Sequence, residues 1–183
     1  MNTGTGQPTD STLTLRPASL ADAPALSRLG IDSFVAKFGH MYRPEDLAAF
    51  LDEAHSVENV RDEIATPDRR YCLAERGGQL VAYCKMGLSC GWPEYARGQK
   101  VIELKQLYTA PDATGGGIGA ALMDWAFGVA KAAGADEIQL SVWSGNDGAQ
   151  RFYARYGFEK VADITFRVGE QIDEEFLFAR MLT

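Results

Sequence analysis

The stretch from Lys100 to Ala130 constrains the fold more than any other part of the chain, because a strand pattern, a glycine run and a helix pattern follow one another without a break. Branched, apolar and aromatic side chains dominate residues 101–108, which predicts a strand buried on both faces. Ala110 precedes Pro111, so the strand is expected to end there. Behind the glycines, apolar residues recur at helical spacing. The sequence therefore predicts a strand, a glycine-rich turn and then a helix.

Gly115, Gly116, Gly117 and Gly119 lie where this helix is predicted to begin. The first amides of a helix have no internal hydrogen-bond partner, and the helix dipole places partial positive charge there. Because glycine has no Cβ, the backbone at such a turn can approach a phosphate closely. The run predicts an anion-binding turn, with a flexible glycine turn that binds nothing as the alternative.

A dinucleotide is one alternative occupant of this turn, since Gly115, Gly117 and Ala120 match the pattern G-x-G-x-x-A. That fingerprint normally opens a fold and is followed by an acidic residue at the end of the next strand. Here the run lies past the middle of the chain, and Asp136 and Glu137 precede the predicted strand IQLSVW instead of ending it. Both features disfavour a dinucleotide site.

Two signatures in this half of the chain resemble those of the GNAT acetyltransferases. The family's phosphate loop, Q/R-x-x-G-x-G/A, corresponds to residues 114–119, with Thr114 in place of the long polar first residue. The second signature, N..A..FY...GF, is matched by Asn146, Ala149, Phe152, Tyr153, Gly157 and Phe158. The resemblance spans residues 10–182, and within the family the chain is most similar to bacterial spermidine/spermine N-acetyltransferases.

The resemblance implies an α/β (α+β) GNAT fold, in which a mixed, twisted central sheet carries helices on both faces. It also implies a splay between the two central parallel strands, here around Leu104 and Leu140. Chain patterning predicts the order βαα βββ α β α ββ, with a further short helix over residues 56–65. A length of 183 residues with 46% hydrophobic content suits one domain, assigned to residues 11–183 behind a flexible tail at residues 1–10.

The cofactor that the resemblance implies is acetyl-CoA, held mainly by backbone amides. The residues assigned to it are Leu107, Tyr108, Thr109, Thr114, Gly115, Gly116, Gly117, Gly119, Ala120, Asn146 and Tyr153. Asn146 also suits a helix cap, and both roles are compatible. Thr114 is too short for the contact that a glutamine or arginine makes there, so the amides are expected to carry binding.

Acetyl transfer to an amine requires a group that accepts the amine's proton and a group that protonates the departing thiolate. The resemblance assigns Tyr153 as the acid and Glu103 as the base, which would act directly or through water. Each residue has a structural alternative. Tyr153 could be a plain core aromatic, and Glu103 could be neutralised in an ion pair with Lys105.

The acceptor site is predicted from aromatic and histidine residues in two segments: the helix-loop-helix that forms one wall of this site in the family, and a turn-rich interval over residues 89–99. These candidates are Phe34, Phe38, His40, Tyr42, Trp92 and Tyr95. Core packing or coverage of the sheet edge is the alternative for each. The predicted acceptor is a small-molecule or peptide primary amine, which leaves a polyamine, a peptide amine and an antibiotic amine open, together with a non-catalytic CoA-binding domain for sensing or assembly.

Charge and composition restrict the classes of partner that the protein is expected to bind. The net charge of −7 disfavours nucleic acid and favours a cationic substrate, for which Glu94, Glu170, Asp173 and Glu174 are candidate contacts. The three cysteines and two histidines lack disulfide or metal-ligand spacing, so no metal is expected and His55 is expected to be solvated. No membrane segment or signal peptide is evident, which predicts a cytoplasmic protein and leaves a homodimer open.

Overall fold

The computed structural model of the protein describes residues 12–113 and 115–183, so the predicted tail at residues 1–10 and the position of Thr114 lie outside the described residues. The helices of this part are α1 (Ala23–Phe38), α2 (Pro44–His55), α3 (Val57–Ala65), α4 (Ile118–Ala133) and α5 (Asp147–Arg155). The strands are β1 (Leu13–Pro17), β2 (Arg69–Arg76), β3 (Gln79–Gly87), β4 (Val101–Thr109), β5 (Glu137–Trp143), β6 (Glu159–Val168) and β7 (Gln171–Met181).

The strands form one mixed sheet in the order β1-β2-β3-β4-β5-β7-β6. β4 and β5 run parallel, and the other neighbours are antiparallel. The predicted order of elements and the α/β class are therefore confirmed. The short helix predicted over residues 56–65 is α3, which begins one residue later because the Ser56 side chain caps it by accepting a hydrogen bond from the Asn59 amide.

Helices cover both faces of the sheet, as the alternation of side chains along β2 illustrates. Tyr71 and Leu73 belong to the apolar cluster that includes Leu26 of α1. Cys72 and Ala74 alternate with these two residues along the strand, and they belong to the cluster that includes the buried face of α4. Since successive residues of a strand point to opposite faces, one strand supplies two cores. This arrangement holds the start of α4 on one face and α1 on the other.

The central parallel strands separate soon after they pair. Their register runs from Val101 opposite Glu137 to Glu103 opposite Gln139 and stops there, although β4 continues to Thr109. Beyond this point β4 keeps β3 as its neighbour and β5 keeps β7. The predicted splay is confirmed, and backbone groups along its inner edges face an opening instead of a neighbouring strand.

Candidate active site

Two adjoining cavities lie at the splay. The larger has a volume of about 770 Å³ and extends beneath α1 and α2. The smaller has a volume of about 640 Å³ and extends along the start of α4 and one side of α5. Both are lined by Lys37, Leu107, Thr109, Ala149 and Tyr153, so they meet at the open end of β4. We call the larger one the inner cavity and the smaller one the outer groove.

The glycine run forms the end of the outer groove. Gly115, Gly116 and Gly117 have φ angles of 89°, 67° and 77°, a left-handed conformation that side-chain-bearing residues rarely adopt. Gly117 is the N-cap of α4, so the free amides of the first helical turn follow it directly. A Cβ on Gly119 would lie 3.0 Å from the Phe152 ring, which explains why this position also lacks a side chain. The backbone here fits an anionic group such as the pyrophosphate of a nucleotide cofactor.

Three cationic side chains surround this groove, and the sequence analysis did not assign any of them to the site. The Arg76 guanidinium donates to the Gly116 carbonyl at 3.4 Å, which brings a positive charge from β2 to the glycine run. Lys37 and Arg155 line the groove. The three residues belong to elements that are far apart in the sequence, so no local motif predicts that they meet here. Their charges favour a phosphate-bearing ligand.

The residues predicted on β4 divide between the two cavities. Leu107 and Thr109 line both, whereas Tyr108 lines only the inner cavity. The Thr109 carbonyl accepts a hydrogen bond from the Ser33 hydroxyl at 3.1 Å, which ties the open end of β4 to α1. The strand is thereby fixed at the junction of the cavities although β5 no longer pairs with it.

Tyr153 lies at this junction, on the buried face of α5. Its ring packs against Phe152 and Phe158, with centroids 5.2 Å and 5.9 Å away, and it is 9% exposed. Burial raises the pKa of Tyr153 well above its ordinary value, so the phenol carries its proton at neutral pH. The Asn146 side chain caps α5 by accepting from the Ala149 amide at 3.1 Å, and it lines the inner cavity instead of the groove.

Glu103 lines the inner cavity where β4 and β5 part, and it is 9% exposed. Its Oε2 atom accepts a hydrogen bond from Lys105 Nζ at 2.8 Å, so the ion pair considered from the sequence is present. A Cβ on Gly91 would lie 2.8 Å from the same oxygen, which explains the glycine in this loop. Glu103 is thus a buried carboxylate with its charge partly balanced.

The sequence profile described as the acetyltransferase (GNAT) family matches residues 35–158, a span that includes the glycine run, Glu103 and Tyr153. The chain belongs to the GNAT acetyltransferase family. The predicted enzyme class, an acyltransferase, and its predicted cofactor, acetyl-CoA, are confirmed at the level of the family.

Relatives agree with this assignment. An uncharacterised N-acetyltransferase of Mycobacterium tuberculosis is 30% identical over 164 residues, which cover 89% of this chain and 99% of the relative. A second, from Lactobacillus delbrueckii subsp. lactis, is 25% identical and covers 88% of this chain and 92% of its own.

Solved structures agree in fold. The PaiA N-acetyltransferase of Thermoplasma acidophilum, solved with coenzyme A, has a TM-score of 0.77 at 21% identity and covers 93% of this chain and 99% of its own. The YncA structure of Salmonella typhimurium, solved with acetyl-CoA, has a TM-score of 0.71 at 18% identity. It covers 94% of this chain and 95% of its own.

In this GNAT enzyme, half of the residues predicted to contact the acceptor line the inner cavity. Phe34 and Phe38 of α1 and Trp92 are among its walls, and the Trp92 backbone is held by the Gln139 side chain through two contacts of 3.2 Å. The other three lie outside these walls. His40 is exposed, Tyr95 is 37% exposed, and the Tyr42 hydroxyl donates to an Asp173 oxygen at 2.5 Å.

Aromatic residues from distant elements complete the inner cavity. Phe50 of α2 lies between Phe34 and Phe166 of β6, with ring centroids 4.6 Å and 5.6 Å away. Trp143, at the end of β5, meets the Phe38 ring edge-on at 6.0 Å. Phe50, Trp143 and Phe166 were not predicted, because their patterns are those of ordinary core positions. The cavity is therefore apolar over much of its surface.

The acidic residues predicted to meet a polyamine point elsewhere. Glu94, Glu170 and Glu174 are exposed, and Asp173 is engaged by Tyr42. Besides Glu103, the inner cavity is lined by their neighbour Glu175. Adjacent strand residues face opposite sides of the sheet, so a shift of one position decides which carboxylate enters the cavity.

The expectation that His55 is solvated is wrong. His55 is 1% exposed, and burial among the rings of Phe34, Phe50 and Tyr108 lowers its pKa to about 4. It is buried because α2 ends beneath the wall of the inner cavity, where the Ser27 hydroxyl donates to the His55 carbonyl. A neutral imidazole therefore supports this wall at neutral pH.

Neither a metal cluster nor a membrane helix is found in the part of the chain that the structure describes. No group of three or more histidine, cysteine, aspartate and glutamate side chains among residues 12–113 and 115–183 could hold a metal ion. None of the helices in these ranges is both long and apolar enough to span a bilayer.

Proposed function

We propose that this GNAT enzyme transfers the acetyl group of acetyl-CoA to a primary amine of a cationic acceptor, with a polyamine as the favoured class. The observation that carries the proposal is the junction of the two cavities at Leu107, Thr109 and Tyr153. A cofactor in the outer groove and an acceptor in the inner cavity would meet there. Acetyl-CoA supplies the acetyl group as an activated thioester.

The cofactor is assigned to backbone donors along the outer groove. The amides that follow Gly117 suit the pyrophosphate, with Arg76 as the nearby cation. The unpaired edge of β4 offers the amides of Leu107 and Thr109 to the thioester carbonyl and to the amide-bearing arm of the cofactor. These donors are fixed before binding, which lowers the cost of ordering them.

Tyr153 is assigned as the acid that protonates the departing thiolate. Its phenol is protonated at neutral pH, and its ring lines both cavities, so the hydroxyl can reach the place where the carbon–sulfur bond breaks. Packing against Phe152 and Phe158 holds the ring in one orientation.

Glu103 is assigned as the group that accepts the proton lost by the amine. It lies four residues before Leu107, which is roughly 13 Å along an extended strand, so the proton is expected to travel through water. The ion pair with Lys105 holds the carboxylate in place at the wall of the inner cavity.

Two features support a polyamine as the acceptor. The first is the resemblance, inferred from the sequence motifs alone, to bacterial spermidine/spermine N-acetyltransferases. The second is the combination of a carboxylate with aromatic walls in the inner cavity, because both groups attract ammonium ions.

The test is an acceptor panel with acetyl-CoA in which release of free thiol is measured. Polyamines, peptides with free amino termini and antibiotic amines are compared with a reaction that lacks acceptor. Thiol release above this background with polyamines supports the proposal, and faster release with another amine replaces the acceptor class. Coenzyme A binding without thiol release from any amine would contradict catalysis and support a sensing or assembly role.

The assignment of Glu103 has its own test. Glu103→Gln is expected to lower kcat by about tenfold to a hundredfold, because a water-mediated proton acceptor is lost. Lys105→Met is the matched control, since it breaks the same ion pair and leaves the carboxylate in place. Equal losses in the two variants would mean that the ion pair, and not proton transfer, is what the enzyme needs.

A further inference from the structure

The inner cavity contains one carboxylate oxygen without a partner. Oε2 of Glu175 on β7 is buried and accepts no hydrogen bond from any described residue. Of the cavity's other charged residues, Lys85 is paired with Glu63, and Glu103 is paired with Lys105. Lys37 lies at the junction with the outer groove, where its Nζ atom is 5.9 Å from the centroid of the Phe38 ring. A buried acceptor that lacks a donor destabilises the fold, so this oxygen is better explained as a binding site that a ligand completes.

The groups that face Glu175 do not supply a positive charge. Ser141 of β5 forms a hydrogen bond to its carboxylate, Asp173 approaches it from the same strand, and Tyr42 and Tyr108 lie close enough for Glu175 to raise their pKa values. Burial raises the pKa of Glu175 itself, and no cation from residues 12–113 or 115–183 offsets this effect. A cationic ligand would stabilise the ionised carboxylate.

Aromatic rings surround the approach to Glu175. Trp143 lies directly opposite it in the register of β5 and β7, and Phe166 belongs to the adjoining strand β6. Both rings and Tyr108 line the same cavity. Aromatic faces attract ammonium groups, and the attraction is stronger where water is excluded. A carboxylate beside such rings therefore forms a site for an ammonium ion attached to an alkyl chain.

Strand register separates this site from the place of acetyl transfer. Glu103 pairs with Gln139, and Trp143 lies four residues beyond Gln139, so Trp143 and Glu175 are level with Leu107. The backbones of β4 and β7 are two strand spacings apart, which is about 10 Å, because β5 lies between them. The splay between β4 and β5 increases this distance. Glu175 also lines only the inner cavity and not the junction with the groove.

We propose that Glu175 binds a second positively charged group of the acceptor, at a distance from the amine that is acetylated, so that the enzyme selects diamines over monoamines. This inference rests on the proposed function and adds a specificity-determining residue to it. A diamine with a short alkyl chain would place one nitrogen at the junction of the cavities and the other against Glu175 and Trp143. A monoamine would leave the Glu175 oxygen unpaired.

The experiment compares putrescine with butylamine, which has the same alkyl chain and no second ammonium group. Wild type is expected to show a kcat/KM for putrescine at least about tenfold higher than that for butylamine, since one charge-assisted contact is worth that factor. Glu175→Gln is expected to raise the KM for putrescine about tenfold and to change the values for butylamine less than about twofold. Glu174→Gln is the matched control, because Glu174 is exposed.

Calorimetric titration of putrescine into the protein saturated with coenzyme A gives a second readout that does not need turnover. Weaker binding to Glu175→Gln than to Glu174→Gln supports the inference. An unchanged preference for putrescine in Glu175→Gln overturns it, as do equal losses with both amines. If wild type acetylates neither amine, the proposed function fails for this acceptor class, and calorimetry alone then decides the role of Glu175.

Discussion

The two halves of the active site are built in opposite ways. The outer groove ends in a contiguous run, residues 115–120, that offers mainly backbone atoms to a ligand. The inner cavity is lined by side chains from α1, α2, β4, β5, β6 and β7. Backbone donors cannot be changed by substitution, although an added Cβ or side chain can block them. Side chains can be exchanged one at a time, which explains how enzymes on one scaffold keep a cofactor and vary their acceptor.

The halves also differ in charge. Lys37, Arg76 and Arg155 lie around the groove, whereas the far side of the inner cavity carries the unpaired Glu175. The cations of the groove favour a phosphate-bearing cofactor, and the unpaired Glu175 oxygen favours a cationic acceptor. This polarity predicts that substitutions in the groove affect cofactor binding and that substitutions in the cavity affect acceptor choice.

The largest effect is expected from Gly117→Glu, which should abolish binding of coenzyme A. Gly117 has a φ of 77°, so any side chain is strained there, and a glutamate would fill the groove and repel phosphate. Isothermal titration with coenzyme A measures this loss. Gly128→Glu is the control: it adds the same charge to α4 at an exposed glycine whose Cβ would meet no atom within 4 Å, and binding should persist.

Strain and obstruction at Gly117 can be separated with Gly117→Asn. Asparagine adopts positive φ angles more readily than other side-chain-bearing residues and adds no charge, so this variant should bind coenzyme A better than Gly117→Glu. A folded Gly117→Glu variant with wild-type affinity would remove the glycine run from the cofactor site.

The next largest effect is expected from Tyr153→Phe, which should lower kcat by about a hundredfold or more by removing a general acid. The ring and its packing against Phe152 and Phe158 remain, so folding and coenzyme A affinity should stay close to wild type. Steady-state kinetics with an identified acceptor give the result. The acetyl-CoA KM should change little unless it includes the chemical step.

Tyr156→Phe is the control for this substitution. Tyr156 is three residues away on the C-terminal side of α5 and lines only the outer groove, whereas Tyr153 lines both cavities. If Tyr153→Phe turns over as fast as Tyr156→Phe and wild type, another group or water protonates the thiolate.

A smaller effect concerns the wall of the inner cavity and its dependence on pH. The pKa of His55 is about 4 in the folded protein, whereas its ordinary value is 6.5. Between these two values His55 is protonated in the unfolded chain but neutral in the folded chain, so a fall in pH favours unfolding. The free energy of unfolding should therefore fall by about 2 kcal/mol between pH 7 and pH 5.

Chemical denaturation at the two pH values tests this, and His55→Gln should remove most of the difference. His40→Gln should keep it, because His40 is exposed on the surface. A pH dependence unchanged in His55→Gln would assign it to other groups and would contradict the buried, neutral histidine as its source.

The smallest effect is expected from Thr114→Ala in the glycine-rich turn. If backbone amides carry cofactor binding, loss of one short hydroxyl should weaken coenzyme A affinity by less than about tenfold, the value of a single hydrogen bond. The same calorimetric titration applies. A larger loss would mean that a side chain contributes to the half of the site described as backbone-based.

Most of the outer groove could be predicted from the sequence because its parts are local. The strand, the glycines and the helix start follow one another between Val101 and Ala133, and Ala149, Phe152 and Tyr153 share a second continuous signature. The predicted family and the predicted splay are confirmed for the same reason. The acid and base roles of Tyr153 and Glu103 stay predictions, as do the domain bounds, the cytoplasmic location and a homodimer.

The inner cavity could be predicted only in part. Phe34, Phe38 and Trp92 line it, but Tyr42 turns to Asp173, and the solvated position expected for His55 is wrong. Aromatic residues are equally at home in a core and in a cavity wall, so residue type alone does not distinguish these places.

The sequence by itself determined the glycine-rich turn before α4, the family and the order of elements, because each depends on neighbouring residues and on backbone chemistry. Tertiary structure alone decided that Glu175 and not Glu174 enters the cavity, and that Arg76 reaches the glycine run. The physical reason is that strand register and the packing of distant helices set the direction of each side chain, and a local sequence pattern predicts neither of them.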